Sequence, residues 1–271
     1  MFREGVIPSL FYIMKYQYKN ILFEYHEFED CVGIINAEIA RPSTNKVFKI
    51  PAEINGKPVT SLSYHGTYYI ALYIKDCKDI IIPSTIKDIC DIKSPTPLNI
   101  YVDNLDYYFQ ISAHLHLGRN SKLYVNNTLI TTLKLNPNIP CMIRNLEIDI
   151  IDCADLTDLT GIQFYKCEIN KIINTNNIEI IPTNFSYYTY WNEPLYFPNV
   201  VIIDSESFTL TNMSITLICP NLVFIESDII YHILITTSII HTVYIQTKTN
   251  PIIYSQKYKI NVNDCYTSGN H

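Results

Sequence analysis

Two segments of the chain read almost as copies of one another: LYFPNVVIIDSES, from Leu195, and LICPNLVFIESDI, from Leu217. Leu, a Pro-Asn pair, an apolar cluster around Val, an acid and a Ser recur in register, with Pro198 and Pro220 22 residues apart. IIIPSTIKDICDI, from Ile80, is a looser copy, and FKIPAEI, from Phe48, is another. NIEIIPTNF, from Asn177, again places two apolar residues before a Pro, two polar residues and an apolar one. Units of about 20 to 25 residues with one short strand each cannot bury their apolar face alone, so they stack into a solenoid. A Pro after an apolar pair presets extended backbone and removes a donor, which suits a corner of each coil and not the middle of a central strand.

Composition agrees with strands and loops. Apolar residues make up 48% of the 271 and charged residues 17%, with only 7 Gly. Ile, Tyr, Phe and Val dominate, residues that fit a pleated, half-buried surface. The formal charge of −6, without a Lys/Arg cluster, argues against nucleic acid as a partner. None of the eight cysteines forms a C-x-x-C pair, so they are expected to be small buried residues in a reducing compartment. The apolar run Val6 to Met14 is followed by KYQYK instead of a small-residue cleavage site, so secretion through it is not expected. A cytoplasmic or virion-associated location is favoured over a secreted one. No segment approaches about 18 uninterrupted apolar residues, so no membrane insertion is expected.

Ile50-Pro51, Ile54-Asn55-Gly56-Lys57-Pro58-Val59-Thr60-Ser61-Leu62 and Ile80-Ile81-Ile82-Pro83-Ser84-Thr85-Ile86 resemble the BspA-type leucine-rich repeat. LNIYVDNLDYYFQI, from Leu98, with SKLYVNNTLITTLKL, from Ser121, resembles the irregular unit that interrupts such arrays, and FEYHEFEDCVGIINAEI, from Phe23, the strand pair that leads into them. The usual "I-G-x-x-A-F-x-x-C" ending of the repeat is nearly gone, and the repeats are degenerate between Ile139 and Asn177. The resemblance implies an α/β-type leucine-rich-repeat solenoid, strand- and loop-rich with few short helices, coiling right-handed. The expected organisation is an N-terminal appendage over 1–19, the solenoid with its capping strands over 20–248, and a C-terminal cap and polar tail over 249–271.

Candidate chemistry is sparse. Glu147, Asp149, Asp152, Asp155 and Asp158 are dense enough for glycoside hydrolysis or calcium, but acids in repeat loops also accept backbone N–H bonds. His114-Leu115-His116 has a metal-compatible spacing without an identifiable third ligand. Nucleophile-elbow, P-loop, dinucleotide and H-E-x-x-H motifs are missing from the sequence. No catalytic residue, metal or cofactor is therefore assigned. Aromatic clusters give the surface candidates: Tyr187, Tyr188, Tyr190 and Trp191 in SYYTYWNEP first, then Tyr68-Tyr69 and Tyr107-Tyr108. Tyr and Trp anchor interfaces because they bury much area at low entropic cost and keep a polar tip. The expectation is a non-enzymatic scaffold that binds a protein or a surface glycan, in adhesion or host recognition as the resemblance implies. A structural virion or assembly protein and a β-solenoid carbohydrate-active enzyme remain as alternatives.

Overall fold

The computed structural model describes residues 13–39, 46–62, 71–204, 206–209, 215–225, 243–247, 252–253 and 260–264. These form a strand-rich β-solenoid with one short α-helix, Leu105–Ile111. The apolar run from Val6 as far as Tyr12, the Tyr68-Tyr69 pair and the tail beyond Asp264 lie outside the described residues.

Successive coils lay their strands in parallel columns. The first column runs through Val47–Lys49, Asp79–Ile81, Asn99–Val102 and Lys122–Val125. A bridge from Ser121 to Leu146 carries it on to Glu147–Asp152, Glu168–Ile173 and Tyr190–Trp191. Leu195–Tyr196, Ile215–Ile218, Val243–Thr247 and Ile260–Asp264 stack in parallel after them. This ladder thus continues into the segment expected to be cap and tail.

A second column contains Leu72–Tyr73, Ile92–Lys93 and Leu115–His116, then Cys141–Arg144, Ile162–Tyr165, Ser186–Tyr187 and Phe208–Thr209. A third holds Ile180–Ile181, Ile202–Ile203, Phe224–Ile225 and Ile252–Ile253.

Register explains the apolar pattern. Phe48, Ile80, Ile100 and Leu123 are paired partners in the first column, and all are buried. Ile181, Ile203 and Ile225 repeat this in the third column at 0% exposure. Each coil therefore covers the apolar rung of the next, which is the repeat logic of a solenoid. Leu195 faces Leu217, and Ile202 faces Phe224, at the 22-residue offset of the two near-copies.

Corners close the coils with four-residue hydrogen-bonded turns. Ile86 N–H donates to Pro83 C=O (3.2 Å), Leu156 to Cys153 (2.9 Å), Ile178 to Thr175 (3.1 Å) and Leu222 to Cys219 (3.2 Å). Pro182 does not belong to this set. It follows the third-column strand Ile180–Ile181 and accepts from Phe185 N–H (3.3 Å), so the Asn177 segment uses Thr175 at the first corner and Pro182 at the next. The fifth sequence match is thus out of register with the others.

Between the second and first columns the backbone turns through left-handed residues: Asn120 (φ 64°), Asn145 (59°), Lys166 (55°) and Tyr188 (53°). Asn tolerates this region best after Gly, which lets a Gly-poor, Asn-rich chain turn corners.

The N-terminal end is covered by an antiparallel meander of Met14–Tyr18, Ile21–Glu27 and Val32–Ile39. Its Phe23 packs edge-on against Phe48 at 6.2 Å, seating the meander on the first rung. Val32–Ile39 also pairs in parallel with Lys57–Leu62, which forms a hairpin with Glu53–Ile54 across Asn55-Gly56 (φ 52° and 77°). Two positive φ values at such a turn match the right-handed twist of the paired strands. The stretch Leu105–Ile111 is helical because Asn104 caps it, accepting from Tyr107 N–H at 2.8 Å, and Tyr107, Tyr108, Phe109 and Ile111 are buried. Tyr107-Tyr108 is therefore a core pair and not a surface cluster.

Candidate ligand-binding face

Outward residues of the second column line up as the inward ones do. Tyr73, Lys93 and His116 are register partners, and Arg144, Tyr165 and Tyr187 are the next set. The sets meet where Arg144 Nη1 lies 3.2 Å from His116 Nδ1. Arg has no acceptor, so His116 accepts at Nδ1, and its Nε2–H faces Asp91 Oδ1 at 3.4 Å. Burial, then the neighbouring Arg144 charge, pulls the His116 pKa down and keeps the ring neutral, despite the opposing pull of Asp91.

Cations pack against aromatic rings along this face. Lys93 Nζ lies 5.8 Å from the ring centre of Tyr73, a residue that is 62% exposed. The Arg144 guanidinium sits 4.9 Å from the Tyr165 ring, and Lys166 Nζ 5.0 Å from the same ring. Tyr165 and Tyr187 stack at 5.0 Å with planes 7° apart, and Tyr188 meets Tyr187 edge-on at 4.7 Å. Lys166 also reaches the Tyr188 ring at 5.6 Å. Burial, then the adjoining Tyr188 and Tyr165 phenols, raises the Tyr187 pKa and holds its hydroxyl protonated.

Around the corner, Arg119 lies 5.2 Å from the Tyr190 ring centre, and its Nη1 donates to the Tyr190 hydroxyl at 3.2 Å. Arg119, Asn120, Lys166, Glu168, Tyr190 and Asn192 line a groove of about 260 Å³ here.

Neither a family model, a curated protein nor a solved structure matches the chain. The face is consequently read from its own chemistry.

Of the four aromatic residues singled out in SYYTYWNEP, three reach the surface. Tyr187, Tyr188 and Tyr190 are half-buried and belong to the ladder or its groove. Trp191 corrects the expectation. It is 7% exposed, stacks on Phe185 at 5.9 Å, meets Phe164 edge-on at 5.5 Å and donates its indole N–H to Ser186 Oγ at 2.9 Å. As the register partner of buried Ile169, it points inward and cannot anchor a ligand.

The acidic stretch is occupied by local bonds. Asp149 accepts from Asn170 (3.0 Å), Asp152 from Ala154 N–H (3.0 Å) and Asn174 (2.8 Å), and Asp158 from Thr160 N–H (2.7 Å). Asp155 pairs with Lys134 at 2.7 Å, and Glu147 with Lys122 at 3.9 Å. His114 and His116 both lie 3.4 Å from the same Asp91 oxygen. Among the described residues no group of three or more His, Cys, Asp or Glu side chains is placed to hold a metal, and no helix is long and apolar enough to cross a membrane.

Sequence reasoning missed Arg119, Arg144, Tyr165 and Lys166. Arg144, Tyr165 and Tyr187 stand at successive offsets of 21 and 22 residues. Extending the repeat register through the degenerate region would have aligned them.

Proposed function

We propose that the chain is a non-enzymatic binding scaffold, and that the second-column ladder is the face with which it recognises a surface glycan or protein, in adhesion or host recognition. The observation that carries this reading is the continuous row from Arg144 through Tyr165 and Tyr187, flanked by Lys166 and Tyr188. Half-buried tyrosines held by neighbouring rings and cations lose little further entropy on binding, which is how rigid aromatic anchors gain affinity. The finer assignment is a divergent BspA-like leucine-rich repeat, supported by the Ile50-to-Leu62 motif and the 22-residue rungs of buried Leu and Ile, and it is this resemblance that implies a right-handed coil.

The test is a screen of the full chain on a glycan array and on intact cell surfaces, alongside Tyr187→Ala/Tyr188→Ala. Circular dichroism and a thermal midpoint verify that the variant folds. Binding by the wild type that the folded variant loses supports the reading; binding by both moves the site off the ladder. Concentration-dependent self-association with no other ligand would favour an assembly role instead.

A further inference from the structure

The ladder carries positive charge that no carboxylate among the described residues pairs with. Arg119, Arg144 and Lys166 belong to three successive coils, and among the described residues none lies within 4.0 Å of a carboxylate oxygen. In a chain of formal charge −6, three neighbouring cations without carboxylate partners define a local site for negative charge.

Ring orientation narrows the ligand. Tyr165 has Tyr187 stacked on it and Arg144 and Lys166 packed against it, so its ring faces are taken by neighbours. Base or sugar stacking on that ring is blocked. What the face offers is a set of hydrogen-bonding groups: guanidinium, ammonium and phenol. Glu168 and Asn192 stand in the same groove as Arg119 and Lys166. A carboxylate there accepts from ligand hydroxyls, which a polysaccharide carries between its anionic groups and a deoxynucleotide backbone lacks. The fitting ligand therefore alternates anionic groups with hydroxyls. Adjacent rungs are about 4.7–4.9 Å apart, close to the advance of one pyranose in an extended chain.

We infer that the ladder binds an anionic polysaccharide laid along the solenoid axis, an assignment that rests on the ladder being the binding face. Carboxylate or sulfate groups sit against Arg144, Lys166 and Arg119. Sugar hydroxyls bond to Tyr187, Tyr190, Glu168 and Asn192.

The experiment measures binding of the full chain to four immobilised polymers by biolayer interferometry: polygalacturonate, dextran sulfate, neutral dextran and poly-dT. Arg119→Gln removes an exposed charge. Lys166→Asn removes a half-buried one with a residue suited to the left-handed backbone (φ 55°), so neither substitution threatens the fold.

The inference expects binding to polygalacturonate or dextran sulfate but not to dextran, weakening as salt rises. Each single variant should lose affinity about tenfold, as removal of a charge-assisted hydrogen bond does. Which of the two acidic polymers binds distinguishes carboxylate from sulfate recognition. Equal binding of dextran, unchanged affinity in both variants, or tighter binding of poly-dT would each overturn it. If the chain binds dextran or a cell-surface protein and Tyr187→Ala/Tyr188→Ala abolishes that binding, the inference falls while the scaffold reading stands. Failure to bind any polymer or cell surface removes both.

Discussion

Trp191 shows how a residue type that usually marks an interface becomes core through register alone. The strand Tyr190–Trp191 alternates, so one aromatic faces the Arg119 groove while the next faces Phe164 and Phe185. Trp191→Ala is expected to cost about 3–5 kcal/mol by opening a cavity and stranding Ser186 Oγ. A urea titration with an unchanged m-value and a much lower midpoint would bear this out; a midpoint within error of wild type would not. The buried thiols act at the same scale. Burial pushes the Cys141, Cys153 and Cys167 pKa values from 9.0 up to about 12. A raised folded pKa means the protonated thiols stabilise the fold fully below the ordinary thiol value. That contribution is lost as pH rises through about 12. Thermal midpoints should therefore fall across this alkaline window, and less steeply in Cys141→Ala/Cys167→Ala. Identical slopes for the two proteins would contradict the assignment.

At the scale of the element, the first corner was the most legible feature because its chemistry is local. An apolar residue, a Pro and a second apolar residue a short step later appear in sequence at Ile82-Pro83-Ile86 and Cys219-Pro220-Leu222, and the turns form there. Leu222 is fully buried, whereas Pro220 mainly restricts the unfolded chain. Leu222→Ala should thus cost about 2–5 kcal/mol and Pro220→Ala less than about 1 kcal/mol in denaturant melts. Equal losses would mean that the corner depends on the Pro ring itself. The second corner at Pro182 was misread because the same local pattern serves two positions in the coil, and only pairing with Ile202 tells them apart. The helix Leu105–Ile111 was hidden in a run of aromatics, although Asn104 is an N-cap residue by type. The cation–aromatic ladder was the least legible. Its members lie about one coil apart in sequence, and the apolar repeat that would align them lapses where Cys141, Cys153 and Cys167 take buried positions.

For the whole molecule, coils contact mainly their neighbours, so stability is close to a sum over adjacent rungs and the ends need covers. The meander Met14–Ile39 supplies one such cover. The same one-dimensional order turns single outward side chains into rows, and among the described residues tyrosines stack within both the first and the second column. Tyr165 and Tyr187 belong to the cationic second column, while Tyr101 and Tyr124 stack at 4.6 Å in the first. That pairing provides a control within one fold. The decisive measurement compares surface and glycan binding of wild type, Tyr165→Ser/Tyr187→Ser and Tyr101→Ser/Tyr124→Ser, all with matched thermal midpoints. A binding function seated on the second-column ladder predicts loss in the first variant and wild-type binding in the second. Loss in the second variant with retention in the first would place the binding face on the first column instead.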